Sequence, residues 1–183
     1  MKKKSILASI LLALTSLSGC GLYNQYHYVK DDDLVEVSYE VTEHLLLNLK
    51  QPLPKGSLIV VNSLVNVNDL GQTLPFGRIV SDQITSALSR SSYRVMGMEL
   101  PTEIFAKNDA GILVLPEKTK QALNDVHANA LVLGTYAAGQ KNVYVSLKVV
   151  ELATQNVISS TDYSIPMGPD AKRLTTLPQV KEE

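Results

Sequence analysis

The chain of 183 residues contains a single cysteine, Cys20, and that one fact limits how it can hold itself together. One thiol cannot close an internal disulfide, so a small disulfide scaffold is excluded and any fold must rest on burying apolar surface. The material for that is present: 45% of residues are hydrophobic and 19% charged, which suits a globular core and not a disordered polymer. Lys+Arg against Asp+Glu is 17 − 18 = −1, so no excess of positive charge draws the chain to nucleic acid. Trp is absent and aromatics are 5%, which argues against a stacking platform for bases or sugars. The length suits one domain with tails.

The position of the cysteine says more than its number. Lys2, Lys3 and Lys4 open the chain, an apolar run extends from Ile6 to Leu17, and Leu17-Ser18-Gly19-Cys20 follows. A basic start, a short apolar stretch and small residues before a cut describe a secretory signal, and the run falls short of the roughly 20 apolar residues of a membrane span. Leu17, Ser18, Gly19 and Cys20 resemble the lipobox of bacterial lipoproteins, in which the Cys thiol receives a diacylglycerol and becomes the new amino terminus. The resemblance implies a signal peptide over residues 1–19 and lipid attachment at Cys20. Acyl chains at about 0.8 kcal/mol per buried CH₂ would make that anchor effectively permanent. Gly21, where an Asp commonly retains lipoproteins in the inner membrane, favours the outer membrane. Removing residues 1–19 takes three lysines, leaving 164 residues and a net charge of 14 − 18 = −4.

Residues 20–33 read as a lipidated tether, polar, with Tyr23, Tyr26, His27 and Tyr28, and ending in Asp31-Asp32-Asp33. The tyrosines suit lipid headgroups, or a segment that orders against a partner. The acidic triplet lacks the spaced ligands of a calcium loop and instead favours the start of the next helix.

That helix is expected over residues 34 to about 49, with Leu34, Val37, Val41 and Leu45 on one face, stopped by Pro52 and Pro54. A buried strand over 57–64 and a loop over 66–73 follow. Pro75 opens a second helix with Thr73 as its cap and Phe76, Ile79, Val80, Ile84, Ala87 and Leu88 inward. A strand packed on both faces is expected over 93–98, a loop or short helix over 100–108, and a third helix over 116–126 with Thr119, Ala122, Leu123 and Val126 inward. Strands over 130–136, 142–152 and 157–165 complete the pattern, the middle one alternating Val143, Val145, Leu147 and Val149 with polar residues. The order α-β-α-β-α-β-β-β predicts an α/β (α+β) single domain over 34–165: a mixed sheet with crossover helices and a C-terminal antiparallel meander. Pro166, Pro169 and Pro178 suggest that residues 166–183 form a flexible tail.

Catalytic parts are missing. His27, His44 and His127 lack metal-ligand spacing and read as surface residues. Acylation removes the only thiol, and no G-x-S-x-G elbow occurs. Gly71 and Gly77 bracket a helix start without the Lys-Ser/Thr of a phosphate loop, and Pro101 leaves the spacing of Glu99 and Glu103 undetermined. The expectation is no enzyme, no metal and no cofactor beyond the covalent lipid on Cys20.

The stretch Asn68-Asp69-Leu70-Gly71-Gln72-Thr73-Leu74-Pro75-Phe76-Gly77-Arg78-Ile79-Val80-Ser81-Asp82-Gln83-Ile84 is distinctive. With Tyr93-Arg94-Val95, Met98-Glu99-Leu100-Pro101, Ala130-Leu131-Val132-Leu133-Gly134-Thr135-Tyr136 and Val143-Tyr144-Val145-Ser146-Leu147-Lys148-Val149-Val150, it resembles the FlgO family of outer-membrane lipoproteins. The resemblance implies a noncatalytic, periplasm-facing protein tied to outer-membrane structures around sheathed polar flagella, and to flagellar stability and motility. Its partners would be the outer membrane and other flagellar outer-membrane or basal-structure proteins, with a homo-oligomer as one arrangement and no nucleic acid. The pattern is also similar to periplasmic α/β modules that include the N-terminal domain of TolB, the secretion lipoprotein CsgG and the lipoprotein activators of penicillin-binding proteins. These imply two alternatives, a regulator of a peptidoglycan synthase and a CsgG-like secretion component. Asn68, Asp69, Gln72, Phe76 and Arg78 are the candidate partner surface. The competing reading is structural: Asn68 and Asp69 shape a turn, and Arg78 pairs with Asp82.

Overall fold

A computed structural model describes residues 29–101, 104 and 115–177. Helix α1, Leu34–Leu47, starts where Asp33 accepts the Val35 and Glu36 amides at 2.9 and 3.2 Å, satisfying two of the donors a helix leaves free. Val41 and Leu45 are buried, with Leu34 and Val37 packed at their margin, as the spacing requires. Ser38 and Thr42 share that face because their hydroxyls are satisfied, by Gln83 Oε1 at 2.8 Å and the Ser38 carbonyl at 2.7 Å.

Strand β1, Leu58–Asn62, is buried throughout, an uninterrupted apolar run that suits a central parallel strand. The chain then breaks sooner than expected. Asn62 turns its side chain onto the backbone, donating to the Ser63 carbonyl at 3.0 Å and accepting from the Leu100 amide at 2.8 Å. Beyond the break, Val65 and Asn66, the latter expected to open a loop, form β2, Val65–Asn66, which pairs parallel with β4, Ala130–Ala138.

Helix α2, Pro75–Arg90, places Pro75 in its first turn, where a missing N–H costs nothing. Leu74 occupies the cap position without a side-chain bond, so Thr73 is not the cap. Ile79, expected inward, is 39% exposed; Gly77 and Ser81 are buried instead. β3, Arg94–Met98, is an edge strand beside β1, with Met96 and Gly97 exposed, which corrects the expectation of burial on both faces. α3, Glu117–Asp125, buries Thr119 and Leu123 and leaves Ala122 exposed.

β5, Asn142–Glu151, and β6, Val157–Pro166, complete an antiparallel meander with β4, giving the strand order β3-β1-β4-β5-β6 with β2 alongside β4. The fold is thus a mixed α/β single domain. α1 and α2 cover one face through Val41, Leu45, Phe76, Val80, Ile84 and Tyr136. On the other face Leu123 of α3 joins Val60, Leu131, Leu133 and Val150.

The expected tail is corrected by a fourth helix, α4, Pro169–Leu174. Pro166 does end a strand, but Pro169 sits at a helix start, where proline is favoured. Ala171 is buried, and Met167 and Leu174 pack against the main core. Residues 178–183 lie outside the described region.

Candidate interaction surface

The distinctive stretch divides into a part that builds the fold and a part that faces outward. Phe76 belongs to the first: it is fully buried, its ring 5.1 Å from that of Tyr136 and tilted by 57°. Its assignment to a partner surface is therefore corrected, because the residue one position after Pro75 points into the sheet. At Gly77 any Cβ would overlap the Leu64 carbonyl oxygen, so only glycine lets α2 lie on the backbone of the β1–β2 connection. Ser81, one turn on, accepts the Leu64 amide at 2.9 Å, and its hydroxyl lies 2.8 Å from the Gly77 carbonyl and 3.3 Å from that of Asn62. This buried hydroxyl fastens the strand break to the helix, a role that its place on the apolar face concealed.

The outward part is the loop over 66–73 and the exposed side of α2. The loop closes on itself: the Asp69 amide donates to the Asn66 carbonyl at 3.1 Å, Gln72 to Asp69 at 2.9 Å, and Asn66 to Gln72 at 3.3 Å. Asn66 Oδ1 accepts the Asn68 amide at 3.0 Å and Asp69 Oδ1 accepts the Gly71 amide at 3.1 Å, two Asx turns that shape the loop, while the Val67 amide ties its start to the Tyr136 carbonyl at 2.9 Å. Asp69 thus shapes the turn and still presents its carboxylate to solvent. Asn68 and Arg78 are exposed and Gln72 is half-buried. Among the described residues the ion pair within 4 Å joins Lys120 and Glu117, at 3.7 Å, so Arg78 is not paired with Asp82. Val67 and Ile79, 47% and 39% exposed, add apolar area to these polar groups.

A second feature lies where the ends of the fold meet. Asp31 Oδ2 accepts the Asp170 amide at 2.9 Å and Oδ1 the Ala171 amide at 3.0 Å, so a carboxylate 139 residues upstream caps α4. A Cβ on Gly168 would overlap Asp31 and its backbone nitrogen, which explains the glycine. Asp31 and Asp33 therefore cap one helix each, so two of the three acidic residues serve backbone amides. Beside it opens a cleft of about 370 Å³ lined by Asp32, Leu34, Phe76, Ile165, Arg173 and Leu174 among others.

Among the described residues no group of three or more His, Cys, Asp or Glu side chains is placed to hold a metal ion. His44, His127 and Glu99 are exposed, and Glu103 lies outside the described residues. Cys20, the lipobox, the tether tyrosines and His27 lie outside the described residues. Two buried phenols stand out. The Tyr163 hydroxyl has no hydrogen-bond partner among the described residues, and that of Tyr136 lies beside the Leu74 backbone but outside hydrogen-bonding geometry. Burial pushes both up from the usual 10.0.

The FlgO protein family matches residues 39–170, from the first helix into the last. No curated protein matches the chain. Among solved structures, the LpoB C-terminal domain from Salmonella enterica superposes with a TM-score of 0.51 at 14% identity, covering 73% of this chain and 98% of that one. The same domain from Escherichia coli gives the same four values, 0.51, 14%, 73% and 98%. At this identity the likeness is one of fold.

Proposed function

This chain belongs to the FlgO family, and from that membership we propose that it is a noncatalytic lipoprotein, anchored in the outer membrane through Cys20 and facing the periplasm. In this reading it is a structural or assembly component associated with the flagellum, needed for flagellar stability and motility. The observation that carries the reading is the family match, which spans nearly the whole described fold, so the resemblance is not confined to one motif. The lipobox supports the anchor. No helix among the described residues is long and apolar enough to cross a membrane, so attachment by lipid is the economical route.

The partner surface in this reading is the outward part of the family-like stretch: Asn68, Asp69, Gln72 and Arg78, with Val67 and Ile79 beside them. An exposed guanidinium without a carboxylate partner among the described residues suits an acidic group on another protein or on a second copy of this chain.

Deletion cells are expected to swim poorly, with restoration by the wild-type chain and not by Cys20→Ser, which cannot be acylated. Normal swimming of the deletion strain would overturn the flagellar reading. Co-purification with a peptidoglycan synthase and altered wall synthesis in that strain would replace it with the regulator alternative.

A further inference from the structure

The amino-terminal segment joins the fold at one end of the sheet, and that end is identified by independent contacts. Asp31 holds the α4 amides at 2.9 and 3.0 Å, and α1 begins three residues later. The Met167 amide donates to the Lys141 carbonyl at 2.7 Å, which places the approach to α4 against the turn between β4 and β5. β1 and β4 run parallel, so their carboxyl ends, the loop over 66–73, the start of α2 and this turn share the same end. The opposite end carries the turn between β5 and β6, where the Lys50 amide donates to the Ile158 carbonyl at 2.8 Å.

We infer that the domain is held with its 66–73 end toward the bilayer, so that contacts made by Asn68, Asp69 and Arg78 are with a protein seated in or on the same membrane. The inference rests on the Cys20 anchor proposed above. From Cys20 to Asp31 is 31 − 20 = 11 residue steps, which span at most about 40 Å when fully extended. β5 has 10 residues, and at strand rise it is about 33 Å long. Bringing the far turn to the lipid would take almost the whole reach of the tether, whereas the near end gets there without extension. Charge does not compete with this geometry. Lys30, Arg78, Lys141, Lys172 and Arg173 are matched at the near end by Asp31, Asp32, Asp33, Asp69 and Asp170, leaving no net attraction for anionic headgroups.

The test uses the mature lipidated protein in vesicles of phosphatidylethanolamine and phosphatidylglycerol carrying a lipid-borne energy acceptor. With Cys20 acylated, Asn68→Cys and Ala153→Cys each provide one thiol for a fluorescent donor, at the near and far ends. Energy transfer from position 68 is expected to exceed that from 153 several-fold and to persist in high salt, where adsorption by charge would be screened. A Gly/Ser insertion of roughly twenty residues ahead of Val29 adds about 70 Å of maximum reach and is expected to erase the difference. Equal transfer, stronger transfer from 153, a difference lost in salt or one indifferent to the insertion would each overturn the orientation. Failure to co-sediment with vesicles, or thiol labelling of the unsubstituted protein at Cys20, would overturn the anchor and the orientation together.

Discussion

Ser81 and Tyr163 carry opposite lessons about buried hydroxyls. Ser81 is satisfied by the Leu64 amide, so Ser81→Ala strands a buried N–H and is expected to cost about 1–3 kcal/mol in urea unfolding. Asp82, exposed on the same helix, should tolerate alanine within about 0.5 kcal/mol. Tyr163 has a buried, unpartnered hydroxyl and a raised pKa, with Tyr136 raised in the same sense. Both phenols are neutral in either state well below pH 10, and a loss of stability sets in as pH rises through about 9. Above it the unfolded chain releases their protons first, so folded stability falls as pH rises, by up to about 1.4 kcal/mol per unit for each tyrosine. Tyr163→Phe should cost little at neutral pH and should lessen the loss between pH 9 and 11; an unchanged alkaline slope would show that Tyr163 does not contribute.

At the level of elements, legibility follows the length of the repeating pattern. α1 and β5 were readable because each buries a face with its own period, from Val41 and Leu45 to the alternation of Val143, Val145, Leu147 and Val149, whereas β1 and β4 were readable as short apolar runs buried on both faces. β2 was not, since Val65 and Asn66 are too few to show a period and pair only because Asn62 and Ser81 shape the break before them. α4 was hidden by brevity and by two prolines, and its stability comes from elsewhere. A six-residue helix is unstable in isolation; Asp31 supplies the missing cap from the far end of the chain, a relation that no local pattern carries. In the candidate surface, the turn chemistry of Asp69 was legible; the other Asx turn is made by the side chain of Asn66 and not of Asn68, and the inward turn of Phe76 depends on where α2 crosses Tyr136. Asp31→Ala is expected to raise hydrogen exchange at the Asp170 and Ala171 amides and to cost about 0.5–2 kcal/mol. Unchanged exchange there would show that α4 docks without the cap.

At the level of the whole molecule, the sheet is covered on one face by α1 and α2 and on part of the other by α3. Tyr144, Lys148, Ser160 and Asp162 remain exposed on β5 and β6, an arrangement that an antiparallel meander sustains in water. The stretch that resembles the FlgO family does two jobs in this architecture. Gly77, Phe76 and Ser81 fasten α2 to the sheet, and Asn68, Asp69 and Arg78 face solvent at the end where the tether joins. Substituting Asn68 and Arg78, whose side chains make no hydrogen bond or ion pair among the described residues, by alanine should therefore leave thermal unfolding nearly unchanged while reducing swimming; full motility with intact folding would remove those residues from the partner surface. The account as a whole is tested most directly by imaging basal bodies in wild-type and deletion cells. It predicts outer-membrane structures around the flagellum that are missing or unstable without this protein. Intact structures bearing stable flagella in the deletion cells would contradict it.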